Sequence, residues 1–192
     1  MVHCMKKNPI PFQYDNILFT GFRATGKSLV GSLLARKLGY TFVDADIALC
    51  EQQGMSVRAL VEQYGWQKFR ALEYAFLEGM LTAEQTVLAV GGGAIEHTTL
   101  WPDLEKRYYI VWLRASQETI CTRMGADHKN RDQRPALLGT HLEEEVRQML
   151  VQRTPLYAAG AHYIVDTDDL DPEAVVSTVL QQCSRVLQSA GS

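Results

Sequence analysis

Apolar positions follow two rhythms that alternate along the chain. Short, nearly continuous apolar runs occupy residues 17–20, 41–43, 87–90, 108–113 and 163–165. Their length and β-rich content predict strands buried on both faces. Longer stretches with helical spacing lie between them. Leu29, Leu33, Leu34 and Leu38 mark one face of a helix that should stop at Gly39. Further helices are predicted over 56–64 and 66–81, punctuated by Gly65, and over 116–124, 141–159 and 172–187. Pro155 should end or kink the helix over 141–159 near Arg153. Strand–helix alternation predicts an α/β fold, a parallel sheet covered by helices on both sides.

Two places break the rhythm. Two helical stretches, rather than one, connect the second strand to the third, and this insertion at about 46–82 can build a substrate-binding wall. The second break is GADHKNRDQRPALLGT at 125–140, polar, basic at its centre and rich in helix breakers. A loop of that length in a compact domain is a functional lid or an ordinary surface loop. Residues 1–14, broken by Pro9 and Pro11, read as a flexible arm, 15–188 as a single domain, and the last few residues as a frayed tail.

Composition narrows the partners. The chain has 192 residues, which suits one core. It is 46% hydrophobic and 21% charged, so disorder is not the default reading. A formal net charge of −3 offers no global attraction to nucleic acid or anionic membrane, so any phosphate site must be local. No segment approaches the roughly 20 apolar residues that span a bilayer. The start carries two lysines with no apolar stretch behind them, which is not a secretory signal. Cys4, Cys50, Cys121 and Cys183 form no CxxC pair and read as reduced thiols of a cytoplasmic protein.

The first strand runs into Gly21-Phe-Arg-Ala-Thr-Gly26-Lys27-Ser28, a G-x-x-x-x-G-K-[ST] sequence between a strand and a helix. Glycines let the backbone curl so that successive N–H groups face one anion-sized hollow. The helix that follows adds the positive end of its dipole. Lys27 can reach the β- and γ-phosphates of ATP, and the Ser28 hydroxyl can hold Mg²⁺. Ala24 stands where many small-molecule kinases have glycine, which is tolerable with a negative φ.

Other charged positions point toward the same edge. Asp44 and Asp46 end the second strand two residues apart, so both can face the sheet's carboxyl edge, where ligands bind in open α/β sheets. Asp46 can instead cap the next helix. Arg70 and Glu73 are three apart on a helix and can pair, although such a pair is ordinarily a solvated face. Gly91, Gly92 and Gly93 follow the third strand, as a backbone contact for a ligand or as a flexible turn. Arg134-Pro135 and Arg153-Thr-Pro155 are further candidates, or plain turn chemistry.

Taken in order, GFRATGKS, DAD, FRALE, GGGAI, RPALL and RTPLY resemble the shikimate kinase family, with the match running from about Asn16 to Leu187. Only the first motif is specific by itself, whereas the ordered set is very specific. The resemblance implies a three-layer P-loop kinase fold, a five-stranded parallel sheet of order 2-3-1-4-5 with a lid loop. It implies ATP-dependent phosphorylation of the 3-hydroxyl of shikimate, a step of aromatic amino acid biosynthesis, with Mg²⁺ as cofactor. ATP would contact Gly21, Ala24, Thr25, Gly26, Lys27, Ser28 and Leu29. Asp44 would support the metal's water shell beside Ser28. Asp46 would hydrogen-bond the shikimate hydroxyls and act as general base or orienter. Arg70 and Arg153 would clamp the carboxylate, with Glu73 holding Arg70, and Gly91, Gly92 and Gly93 would touch substrate through their backbone. Arg134 on the lid would reach the transferring phosphoryl, with Arg131 close beside it. A monomer acting on ATP and shikimate, without nucleic acid or membrane, is expected.

One segment departs from the family pattern. After the last strand, Asp166-Thr-Asp168-Asp169-Leu-Asp171-Pro172 is acidic where family members often place a basic residue beside adenine. Arg123 is the candidate to stack on the base. A gluconate or nucleotide kinase shares the P-loop and the fold, and a non-catalytic ATP-binding module is a third reading. The FRxxE group, the triple glycine and the second arginine favour a carboxylated polyol.

Overall fold

A computed structural model describes residues 14–126 and 142–189. The strands are β1 (Asn16–Thr20), β2 (Thr41–Asp44), β3 (Thr86–Ala89), β4 (Tyr108–Arg114) and β5 (Tyr163–Asp166). The helices are α1 (Lys27–Leu38), α2 (Ala45–Gln53), α3 (Val57–Gly79), α4 (Trp101–Arg107), α5 (Gln117–Ala126), α6 (Leu142–Ala159) and α7 (Pro172–Ser189). The sheet has the order β2-β3-β1-β4-β5, and every neighbouring pair is parallel.

Strand alternation sorts the core into two layers. Ile17 and Phe19 of β1, with Val111 and Leu113 of β4, face Val30 and Leu34 of α1 and Val176 and Val179 of α7. The intervening Leu18, Ile110 and Trp112 face Leu77, Leu104 and Tyr157 on the opposite side. The three central strands are buried apart from Arg114 at the end of β4, as the apolar runs predict. The edge strands β2 and β5 are half-exposed instead, because each has a neighbour on one flank only.

The α1 helix stops as expected at Gly39, whose φ of 71° lets its N–H reach the Ala35 carbonyl. The two helices predicted around Gly65 form one element broken at that residue. Two helices were given no range in advance. The α2 helix buries only Ala45 and Leu49, and α4 has seven residues, so neither carries a long apolar stripe. Pro155 does not end α6, which continues to Ala159. The carbonyl it leaves unpaired belongs to Val151, 65% exposed, where water can serve it. Helix α5 runs through Ala126 and takes in the first residues of the expected lid, and the remainder, with Arg131 and Arg134, lies outside the described residues. Tyr14, assigned to the arm, packs against Tyr109 and His162.

Candidate active site

The loop between β1 and α1 opens on a cleft of about 690 Å³ at the carboxyl edge of the sheet. Gly26 precedes α1 with φ 93° and no side-chain cap. Thr25 donates its hydroxyl to the Phe22 carbonyl, 2.9 Å away, and is buried. The Lys27 ammonium lies within the curl and donates to the carbonyls of Gly21 (2.9 Å) and Phe22 (2.7 Å). Leu29 is exposed one turn on.

Ala24 corrects an expectation. Its φ is +62°, in the left-handed region, rather than negative. The loop has to reverse within a few residues, and its geometry takes the strain, roughly 1–2 kcal/mol for a residue with a Cβ. The Ala24 carbonyl also lies 3.5 Å from an Arg123 guanidinium nitrogen.

The two aspartates divide their roles differently from the capping alternative. Asp44, not Asp46, caps α2: its Oδ1 accepts from the N–H groups of Asp46 (3.1 Å) and Ile47 (3.3 Å). The other Asp44 oxygen takes a short hydrogen bond from the Ser28 hydroxyl. Asp46 is therefore not spent on the helix end and also lines the cleft. It faces Glu73 across Gly91, where an added Cβ would sit 2.8 Å from Asp46 Oδ1 and 2.9 Å from Glu73 Oε1.

Glu73 and Arg70 are not a solvated pair. The Glu73 side chain is 4% exposed and lies 2.5 Å from Arg70 Nη1 and 2.9 Å from His97 Nε2. Burial pushes its pKa up, but the His97 hydrogen bond and the Arg70 guanidinium outweigh that and hold it below the usual carboxylate range. Arg70 lies against Gly93, where a Cβ would come within 1.9 Å of Nη2. Trp66 and Phe69 present their rings to the same guanidinium at 5.7 and 5.5 Å. Arg153 on α6 reaches the same neighbourhood through Glu96, 2.8 Å from its Nε. Tyr157, one turn beyond Arg153 and buried, donates its hydroxyl to the Gly92 carbonyl.

Arg70 and Arg153 do not line this cleft; they stand beyond the triple glycine from it. The acidic segment after β5 is occupied with the fold. Asp166 pairs with Arg114, Asp168 accepts from the Ser116 N–H at 2.9 Å, and Asp171 caps α7 through the Ala174 N–H at 2.8 Å. Arg123 donates to the Thr167 carbonyl (2.6 Å) and hydroxyl (3.1 Å), so it ties this segment to the phosphate loop.

A family model described as shikimate kinase matches residues 23–184. The chain belongs to the shikimate kinase family. A shikimate kinase of Thermodesulfovibrio yellowstonii is 33% identical over 171 residues, covering 89% of this chain and 96% of that protein. A shikimate kinase 2 of Sodalis glossinidius is 36% identical over 168 residues, with 88% and 95% covered. The structure of an Acinetobacter baumannii shikimate kinase in complex with shikimate superposes with a TM-score of 0.83 at 30% identity, over 90% of this chain and 94% of that one. The family fold, a parallel sheet of order 2-3-1-4-5 flanked by helices, is the one observed.

Within this shikimate kinase frame, sequence reasoning missed Glu96, His97 and Tyr157. Glu96 and His97 follow GGGAI directly, and an acidic residue three positions beyond a glycine run was the available signal. Tyr157 belongs to RTPLY, but its hydrogen bond to Gly92 spans 65 positions and leaves no local trace.

Proposed function

We propose that this chain transfers the γ-phosphoryl group of ATP to the 3-hydroxyl of shikimate, giving shikimate 3-phosphate and ADP within aromatic amino acid biosynthesis. The reading is carried by one arrangement. Asp46 stands between an anion cradle on one side and the Arg70–Arg153 pair on the other, with Gly91 and Gly93 letting charged side chains approach closely. Two guanidinium forks suit a single carboxylate. Lys27 and the first amides of α1 hold the phosphates, and Asp46 orients the attacking hydroxyl and accepts its proton late.

Magnesium fits the donor set at Ser28 and Asp44, which is all oxygen and small enough to leave room for water. When bound there with ATP, Mg²⁺ offsets charge on the β- and γ-phosphates. Arg123, on the lining of the cleft, borders the base. The protein acts as a cytoplasmic monomer. No helix among the described residues is long and apolar enough to cross a membrane.

A coupled ADP-release assay across shikimate, quinate, gluconate and nucleoside monophosphates tests the reading. Shikimate should turn over fastest, and preference for gluconate or a nucleotide would move the assignment to another P-loop kinase.

A further inference from the structure

Two carboxylates contact Arg70, and they differ in kind. Glu73 is 4% exposed and bound on both sides, by Arg70 and by His97. Glu96 is 40% exposed and bridges the two arginines, Oε1 at 2.8 Å from Arg153 Nε and Oε2 at 3.6 Å from Arg70 Nη2. Each oxygen thus addresses one guanidinium, as a small carboxylate bound by both would do. The arginines are the fixed partners, 25% and 14% exposed, with Arg70 held by Glu73 and wedged on Gly93. Glu96 is the more exposed partner. It ends the 3-10 turn Ala94–Glu96, and its pairs face water, where ion pairs are weak and exchange readily.

We propose that Glu96 is an internal stand-in for the substrate's carboxylate, occupying the arginine clamp until shikimate displaces it. This rests on the clamp reading given above. Displacement costs shikimate the Glu96 pairs, so Glu96 sets substrate affinity downward. It also offsets charge on the clamp in the free enzyme, most directly at Arg153, which limits capture of other small anions. Glu96 thereby acts as a specificity-determining residue without touching the reacting atoms.

The test is the dissociation constant of shikimate, measured by titration calorimetry on the full chain. Glu96→Gln keeps the shape and removes the charge, and it should bind shikimate about tenfold more tightly, which is about 1.4 kcal/mol. Arg153→Ala should weaken binding, and in that background Glu96→Gln should gain less than twofold. Glu96 is exposed, so Glu96→Gln should fold as the parent does, and a thermal melt of the same sample checks it. Unchanged or weaker binding by a folded Glu96→Gln overturns the proposal, because it makes Glu96 a tether for the arginines. Unchanged binding by Arg153→Ala removes the clamp itself, and this inference falls with it.

Discussion

On the phosphate side of the cleft, the groups that receive the ligand are mostly backbone: the amides opening α1, the curl through Ala24 and Gly26, and one lysine held by two carbonyls. On the far side of the triple glycine the charged groups of the proposed acceptor site are side chains, drawn from α3, from the 3-10 turn and from α6. The first arrangement comes from eight consecutive residues. The second comes from three separate segments, with 57 positions between Glu96 and Arg153, and each charge depends on others for its direction. Backbone cradles give a shared affinity for phosphate, and side-chain clusters give the choice of acceptor.

The contrast can be broken most severely at Lys27. Lys27→Ala removes a formal charge from the cradle and should lower turnover by about 10³ or more while the fold survives. Near-normal steady-state turnover in a folded variant would show that the backbone alone suffices.

Asp46 stands at the border between the two sides. Asp46→Asn keeps the shape but loses charge and basicity, and turnover with shikimate should fall by about 10²–10⁴. Its melting temperature should stay near the parent's, since the cap of α2 is Asp44. Asp44→Ala should show the opposite stability result, losing about 1 kcal/mol with the cap. Full activity in Asp46→Asn would transfer the base role to Asp44.

Gly93→Ala sharpens the side-chain half. The new Cβ would meet the tip of Arg70, which is flexible enough to move aside, so the chain should still fold. Shikimate affinity should drop about tenfold, about 1.4 kcal/mol, with ATP affinity retained. Equal losses for both ligands in calorimetry would mean that the two sides are not separable.

The smallest effect is expected at Ala24→Gly. It relieves a left-handed residue worth roughly 1 kcal/mol and should raise the melting temperature by about 2–4 °C. A lower melting temperature would mean that the added backbone freedom outweighs the strain.

The same division explains what could be read in advance. The cradle was legible because its chemistry is contiguous, and the sheet order followed from the family resemblance. The φ of Ala24 was misjudged because torsions depend on where the loop has to go, which the sequence does not print. The cap was open at Asp46 rather than placed at Asp44 because that depends on where α2 begins, and α2 has too thin an apolar stripe to announce its start. Arg70 and Glu73 looked like a surface pair because spacing carries no information on burial. Glu96 and His97 acquire meaning only once α3 and α6 are packed beside them.

Trp66 gives the acceptor side an optical consequence. Of the three tryptophans, Trp101 and Trp112 are 5% and 4% exposed, whereas Trp66 is 48% exposed and lies 5.7 Å from the Arg70 guanidinium carbon. A cation at that range perturbs an indole's excited state, and water around the ring shifts emission to the red. The long-wavelength edge of the fluorescence spectrum therefore belongs chiefly to the residue beside the clamp. Any rearrangement of Arg70 is written into that edge, so occupancy of the acceptor side can be followed without a label.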